Sequence, residues 1–270
     1  MVSETTFYFI ANFVLFAVVI LGWLNVRRPD WVPGKVFLGL VILFVAIQGT
    51  GLIWSGTRLG AFSMAQPWLA TMLMVEGVVL LCCLLERRVA PGAATPIVET
   101  LAFVIHSYVL VLAPPPPAAA VAVSPFARNP WYLLHVAGVL VASSAYVCAA
   151  GGSIAHLMTV SLSRVDASTP ETARRNQQPF SSRALAFAFP WLTGAIFAHS
   201  LWTYLAWGNY WPRRPAGIWP LVLWLTLVLT LHIGTRPRWR GITSALLTLL
   251  GLAVALLTLP LLGQALTNSW

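Results

Sequence analysis

Long apolar stretches, each about twenty residues, alternate along the chain with short segments carrying charge or proline. Eight can be marked off: Phe7–Val26, Val36–Ser55, Trp68–Leu85, Pro96–Leu112, Trp131–His156, Ala184–Ala206, Ile218–Ile233 and Ile242–Leu262. A run of this length with almost no charge reads as a helix that crosses a bilayer, where every backbone polar group must be satisfied within its own segment. The pattern predicts an all-α, polytopic transmembrane helix bundle of about eight helices, forming one domain over residues 1–270.

The connections carry the orientation. Arg27, Arg28, Lys35, Arg87, Arg88, Arg164, Arg174, Arg175, Arg183, Arg236, Arg238 and Arg240 all fall in loops one, three, five and seven, which is twelve of the sixteen basic residues. Only Arg58, Arg128, Arg213 and Arg214 fall in loops two, four and six. Positive loops stay cytoplasmic, so both termini are expected outside. Loop five, Ser161–Arg183, reads as the polar cytoplasmic connection. The outer run from Pro114–Pro117 to Pro130 cannot continue a helix, because proline lacks the N–H and clashes with the preceding turn.

Composition agrees with a membrane setting. Hydrophobic residues make up 59% of the chain and charged residues 9%, where a soluble domain carries about a quarter charged. The formal charge of +9 follows from the loop bias, and nucleic acid is not called for. The start lacks a basic n-region and a small-residue cleavage site, so the first run is expected to be a retained helix. Cys82, Cys83 and Cys148 lie in apolar stretches without a Cys-x-x-Cys pair, which offers neither a disulfide framework nor a redox motif.

Polar groups inside the spans are the candidates for chemistry, since a charge at mid-bilayer costs about 2.5–3.5 kcal/mol on insertion scales. Glu76 is near the middle of the third span, either in a polar contact or as a neutral acid. Glu99 lies one turn from the inner end of the fourth. His106 and His199 fall near mid-membrane, and His135 one turn inside the outer end of the fifth span. His156 ends that helix on the inner side. His232 lies roughly 21 Å beyond Ile218 at 1.5 Å per residue, near the inner side. A buried histidine is ordinarily a hydrogen-bonded core residue, but neutral imidazole is also the usual axial ligand of haem in a helix bundle. His135 and His232 lie at different depths and would not share one haem. Zinc-ligand spacing, a hydrolase serine elbow and an acidic pair for two metals are all missing from the sequence.

The segment Trp207-Gly-Asn-Tyr-Trp-Pro-Arg-Arg-Pro-Ala-Gly-Ile-Trp219 is aromatic and basic at once. An interfacial aromatic belt would explain it in part. It also resembles the tryptophan-rich motif of the CcsA-type cytochrome c assembly proteins, roughly Trp-Gly-x-Tyr-Trp-x-Trp-Asp-Pro-x-x-x-Trp followed by an apolar helix ending Leu-His-x-Arg. Trp207, Gly208, Tyr210, Trp211, Pro215 and Trp219 match in register, and Leu231-His232 with Arg236 matches the helix end with two residues inserted. Leu192-Thr193-Gly194, the stretch from Trp131 through His135 to Val136, the Ser-Ser-Ala-Tyr146 that follows, and Glu76 resemble further family positions. The likeness covers about 65–262 and is strongest around 131–146 and 189–240.

The resemblance implies a haem-handling membrane protein of c-type cytochrome biogenesis. Such a protein brings haem through the membrane and presents it at the outer face to apocytochrome c. Carried over by position, His135 is one outer iron ligand and His232 the histidine within the membrane. Trp207, Tyr210, Trp211 and Trp219 form the shelf for the porphyrin, and Arg213 or Arg214 pairs with its propionates. The same resemblance places the chain in the cytoplasmic membrane, with lipid, other membrane or periplasmic subunits and apocytochrome c as partners. Any assistance to ligation would come from positioning, with no ordinary catalytic site found.

The chain departs from the pattern at two places. Arg213 and Arg214 stand where the family has Trp-Asp, and Thr267-Asn268-Ser269 stand where its second outer histidine is expected. His199 has no counterpart. A second reading therefore stays open: a CcsA-like membrane subunit of a respiratory or electron-transfer complex, structural or holding haem b through His106, His199 or His232.

Overall fold

The computed structural model describes residues 4–28, 33–58, 67–86, 94–112, 129–163, 171–211, 215–236, 239 and 241–267. Eight helices run through them: α1 Glu4–Arg27, α2 Gly34–Arg58, α3 Pro67–Glu86, α4 Ala94–Leu112, α5 Pro130–Ser163, α6 Glu171–Trp207, α7 Pro215–Thr235 and α8 Ile242–Thr267. All eight are long and apolar enough to cross a membrane. Among the described residues there is no strand. The chain is a multi-pass integral membrane protein, and each expected span has its helix.

Two boundaries differ from the sequence reading. Helix α5 continues past His156 to Ser163, and α6 begins at Glu171, inside the expected loop five. The segment Glu171-Thr-Ala-Arg-Arg-Asn-Gln-Gln is rich in good helix formers, so it extends the helix before the apolar span begins. Most of the proline-rich run after Leu112, with Pro114–Pro117, lies outside the described residues, as do Arg213, Arg214, Asn268 and Ser269.

Helix α5 is the hub. It packs along α6 and also meets α3, α4 and α8, while α1 and α2 flank one side and α7 the other. Within its span 78% of residues are buried, against 28% in α2 and in α7. Its sequence explains this position: Ala142, Ser143, Ser144, Ala145, Ala149 and Ala150 are all buried. In lipid no hydrophobic force drives helices together, so small residues that let backbones approach decide which helix sits inside. Polar side chains add ties between them. Ser144 Oγ donates to the Met74 carbonyl at 3.0 Å, and Ser181 Oγ to that of Ala149 at 2.8 Å.

A separate set of ties holds the first two helices. Tyr8 and Ser55 hydroxyls lie 2.9 Å apart, and the Trp23 indole donates to Thr100 Oγ1 at 3.1 Å. His106 on α4 is fully buried, with Nδ1 2.9 Å from Asn12 Oδ1 on α1 and Nε2 3.1 Å from Gln48 Oε1 on α2. Gln48 Nε2 donates to the Met72 carbonyl, which turns its Oε1 toward the ring. The same Asn12 Oδ1 also accepts from Ser107 Oγ at 3.1 Å, so one ring and two amides tie α1, α2 and α4 together. Glu76 is half-buried opposite Gly49, and buried Glu99 fits against Gly22, where a methyl would stand 2.7 Å from Oε2.

Candidate functional site

The start of α5 sets the height of His135. Asn129 precedes the helix and its Oδ1 accepts from Trp131 N at 2.9 Å, while Pro130 occupies the first helical position, where a missing N–H costs nothing. His135 follows in the second turn and faces α6. It is 2% exposed, and its Nδ1–H donates to the Ala195 carbonyl at 3.0 Å. A carbonyl only accepts, so the proton is on Nδ1 and the Nε2 lone pair is left for another partner.

The contact is made possible by Gly138, one turn further along α5. A methyl there would meet the Trp191 carbonyl at 2.6 Å and Ala195 Cβ at 2.8 Å. With only hydrogen at Gly138, α5 and α6 approach closely enough for an imidazole to reach backbone.

His199 lies one turn after Ala195 on the same helix. The structure places its ring 4.7 Å from that of His135, centroid to centroid, so the two histidines sit at one level. The sequence reading put His199 nearer mid-membrane and apart from the outer site. His199 is 4% exposed, and neither of its ring nitrogens finds a partner within the protein. Its ring is 5.8 Å from Trp202 and 5.6 Å, edge-on, from Trp211. Gly217 of α7 closes the other side, where a methyl would stand 2.6 Å from His199 Nε2.

The end of α6 folds the tryptophan segment back over this pair. Gly208 has φ +68°, the left-handed conformation that terminates a helix, and its N–H donates to the Tyr204 carbonyl at 2.7 Å. Asn209 Oδ1 then accepts from Trp211 N at 3.0 Å, and Thr203 Oγ1 donates to the Tyr210 carbonyl at 2.9 Å. This tight turn sends the two aromatics after it to different places. Trp211 turns in toward His199, whereas Tyr210 is 55% exposed and stacks on Tyr204 at 4.2 Å.

Of the expected shelf, Trp211 meets His199, Trp207 joins the cluster through Trp202, and half-buried Trp219 packs against the core from α7. Tyr210 does not join them. Two aromatics that sequence reasoning passed over do: Trp202, 4.8 Å from Trp207, and Tyr132, 4.8 Å from Trp202. Tyr132 Oη and Trp202 Nε1 are buried without a partner, as are both nitrogens of His199. Buried polar atoms are nearly always satisfied, so four such atoms in one cluster mark a place built to meet something else. The residue types fit a flat aromatic macrocycle with a metal: two imidazoles, three indoles and a phenol.

His232 is elsewhere. It is exposed in the last turn of α7, at the opposite end of the bundle from His135. Beside it lies a cavity of about 720 Å³, lined by Leu231, Gly234, Thr235, His156, Arg183 and Ser244 among others. Among the described residues, no group of three or more His, Cys, Asp or Glu side chains is placed to hold a bare metal ion.

The class these observations define is a multi-pass helical membrane protein with a buried histidine pair under the turn that follows α6. Comparison with known proteins narrows the class. Residues 63–262 match the family described as cytochrome C assembly protein, and the chain belongs to that family. The cytochrome c biogenesis protein CcsA of Guillardia theta is 24% identical over 240 residues, covering 82% of this chain and 78% of that protein. The CcsA of Marchantia polymorpha is 21% identical over 286 residues, covering 88% of each. Among solved structures, the cytochrome c haem lyase CcmF superposes with a TM-score of 0.62 at 18% identity. That superposition covers 97% of this chain and 47% of CcmF, so the chain spans about half the length of CcmF.

Proposed function

We propose that this chain handles haem at the outer face of the cytoplasmic membrane during the maturation of c-type cytochromes. Family membership supports the reading. The observation that carries it is the His135 ring, fixed by the Ala195 carbonyl with its Nε2 lone pair left over and packed on His199, which in turn meets Trp211 and Trp202. A backbone carbonyl on the far nitrogen is the usual way a metal-binding imidazole is oriented and made more basic.

In this reading His135 holds the iron, and Trp207, Trp211 and Trp202 supply aromatic faces to the porphyrin. Gly208, Asn209 and Thr203 hold the covering turn in place. Arg213 and Arg214, by their place in the sequence, pair with the propionates. Bound there, haem supplies a redox-active iron and vinyl groups to the Cys-x-x-Cys-His segment of an apocytochrome. The protein's own contribution is position and exclusion of water. His232, beside the inner cavity, takes the part of the membrane histidine where haem is received.

The test is the absorption spectrum of the purified chain. A Soret band that His135→Ala removes or shifts is the expected result, and an unchanged spectrum would count against this site. In cells, deletion is expected to abolish covalent haem in c-type cytochromes. Survival of those cytochromes would favour a subunit of an electron-transfer complex instead.

A further inference from the structure

We infer that His199 is the second imidazole of the outer site, doing from α6 what the family pattern assigns to a histidine after the last helix. The inference rests on the haem reading and specifies the coordination of that same site. At the expected place this chain has Thr267-Asn268-Ser269, and neither threonine nor asparagine is a usual haem ligand.

Three observations converge on His199. Its ring is buried with both nitrogens unpartnered. A buried donor or acceptor left without a hydrogen bond is costly, so an ordinary core histidine would have found a partner. His106 in the same bundle shows the contrast, with an amide on each ring nitrogen. Second, the His199 ring is 4.7 Å from that of His135, the residue whose free lone pair defines the site. Third, both assignments run through one helix. Ala195 fixes the first imidazole, and residues four apart share a helix face, so α6 carries the orienting carbonyl and the second ring one turn apart.

Coordination asks for the two rings to part. With imidazole–metal bonds of about 2 Å, two trans rings have centroids about 6 Å apart, which is wider than the 4.7 Å spacing here. The α5–α6 contact is pinned at Gly138, so the opening falls on the outer end of α6, where His199 also meets Trp202, Trp211 and Gly217. The site is thus a closed pair, and a macrocycle enters it only as the outer end of α6 and the turn after it move away from α5.

The experiment uses the full chain in detergent, loaded with ferric haem and read by absorption and electron paramagnetic resonance. Wild type is expected to give a low-spin, bis-imidazole signature. His199→Gly is expected to keep haem through His135 but convert it to high spin, and free imidazole is expected to restore the low-spin form. His199→Met covers the case in which the glycine variant does not fold. It retains an axial donor, and its spectrum is expected to shift to that of a mixed histidine–thioether site. A low-spin, bis-imidazole spectrum that survives both substitutions would overturn the assignment of His199 while leaving the haem reading intact. Absence of haem uptake by wild type would overturn the haem reading, and this inference with it.

Discussion

The imidazole of His135 and the carbonyl of Ala195 form a 3.0 Å hydrogen bond across the α5–α6 seam, one turn below His199. The bond fixes the tautomer of the first ring and the register of the two helices together. A slip of either helix by one residue would carry His135 off the carbonyl and His199 off His135. The pairing of the two histidines is therefore a property of the seam.

Gly138 is where that seam can be broken with a single methyl. In Gly138→Ala the new carbon would overlap the Trp191 carbonyl, an atom of helix backbone that cannot turn aside. Overpacking of this kind costs about 1–3 kcal/mol. Thermal unfolding in detergent is expected to show that loss, and haem uptake should fall further than stability alone predicts, because His135 loses its orienting carbonyl. Normal uptake in a destabilised variant would show that the His135–Ala195 bond does not matter to the site.

Gly208 tests the covering turn. A side chain at φ +68° costs about 1–2 kcal/mol, paid either as strain or by unwinding the end of α6. Unwinding would release Trp211 from His199. In Gly208→Ala, faster haem dissociation with little change in the spectrum of the bound form is the expected pair of results, since the iron ligands lie below the turn.

The orientation rests on charge. Arg27 and Arg28 close α1 and Lys35 opens α2 at the same connection, and Arg236, Arg238 and Arg240 fall between α7 and α8. An alkaline phosphatase fused after residue 211 or at the C-terminus is expected to be active, and one fused after residue 163 or 236 inactive. The opposite pattern would put the tryptophan turn on the cytoplasmic side and remove the outward presentation of haem.

Why some of this was legible in the sequence and some was not follows from the range of each interaction. A span announces itself locally, by twenty apolar residues in a row, so all eight helices were visible, and Trp207, Gly208 and Trp211 by their spacing. The His135–His199 pair joins residues sixty-four positions apart on two helices. No periodicity reports that α5 and α6 meet at Gly138, so His199 looked like a solitary mid-membrane residue. Tyr210 lies apart from the other shelf residues for the reverse reason. A motif read as a string treats 210 and 211 alike, but the Gly208–Asn209 turn sends one outward and the other inward. Trp202 and Tyr132 carry no signal of their own in the sequence, and only the fold gathers their unpartnered polar atoms beside the histidines.

His106 was also a candidate ligand, and the structure gives it different work. Both ring nitrogens are taken by Asn12 and Gln48, so it links α1, α2 and α4 and has no lone pair to spare. Removing the ring costs buried Gln48 and half-buried Asn12 one hydrogen bond each. In membranes such bonds average about 0.6 kcal/mol and reach about 1.7, so His106→Ala is expected to lower stability by roughly 1–2 kcal/mol. Because the three side chains act as one network, His106→Ala with Asn12→Ala should cost less than the sum of the two singles. The haem spectrum should be the same in His106→Ala as in wild type. If that substitution abolished the Soret band while His135→Ala left it alone, the iron would belong among α1, α2 and α4, and the outer histidine pair would have no part in holding it.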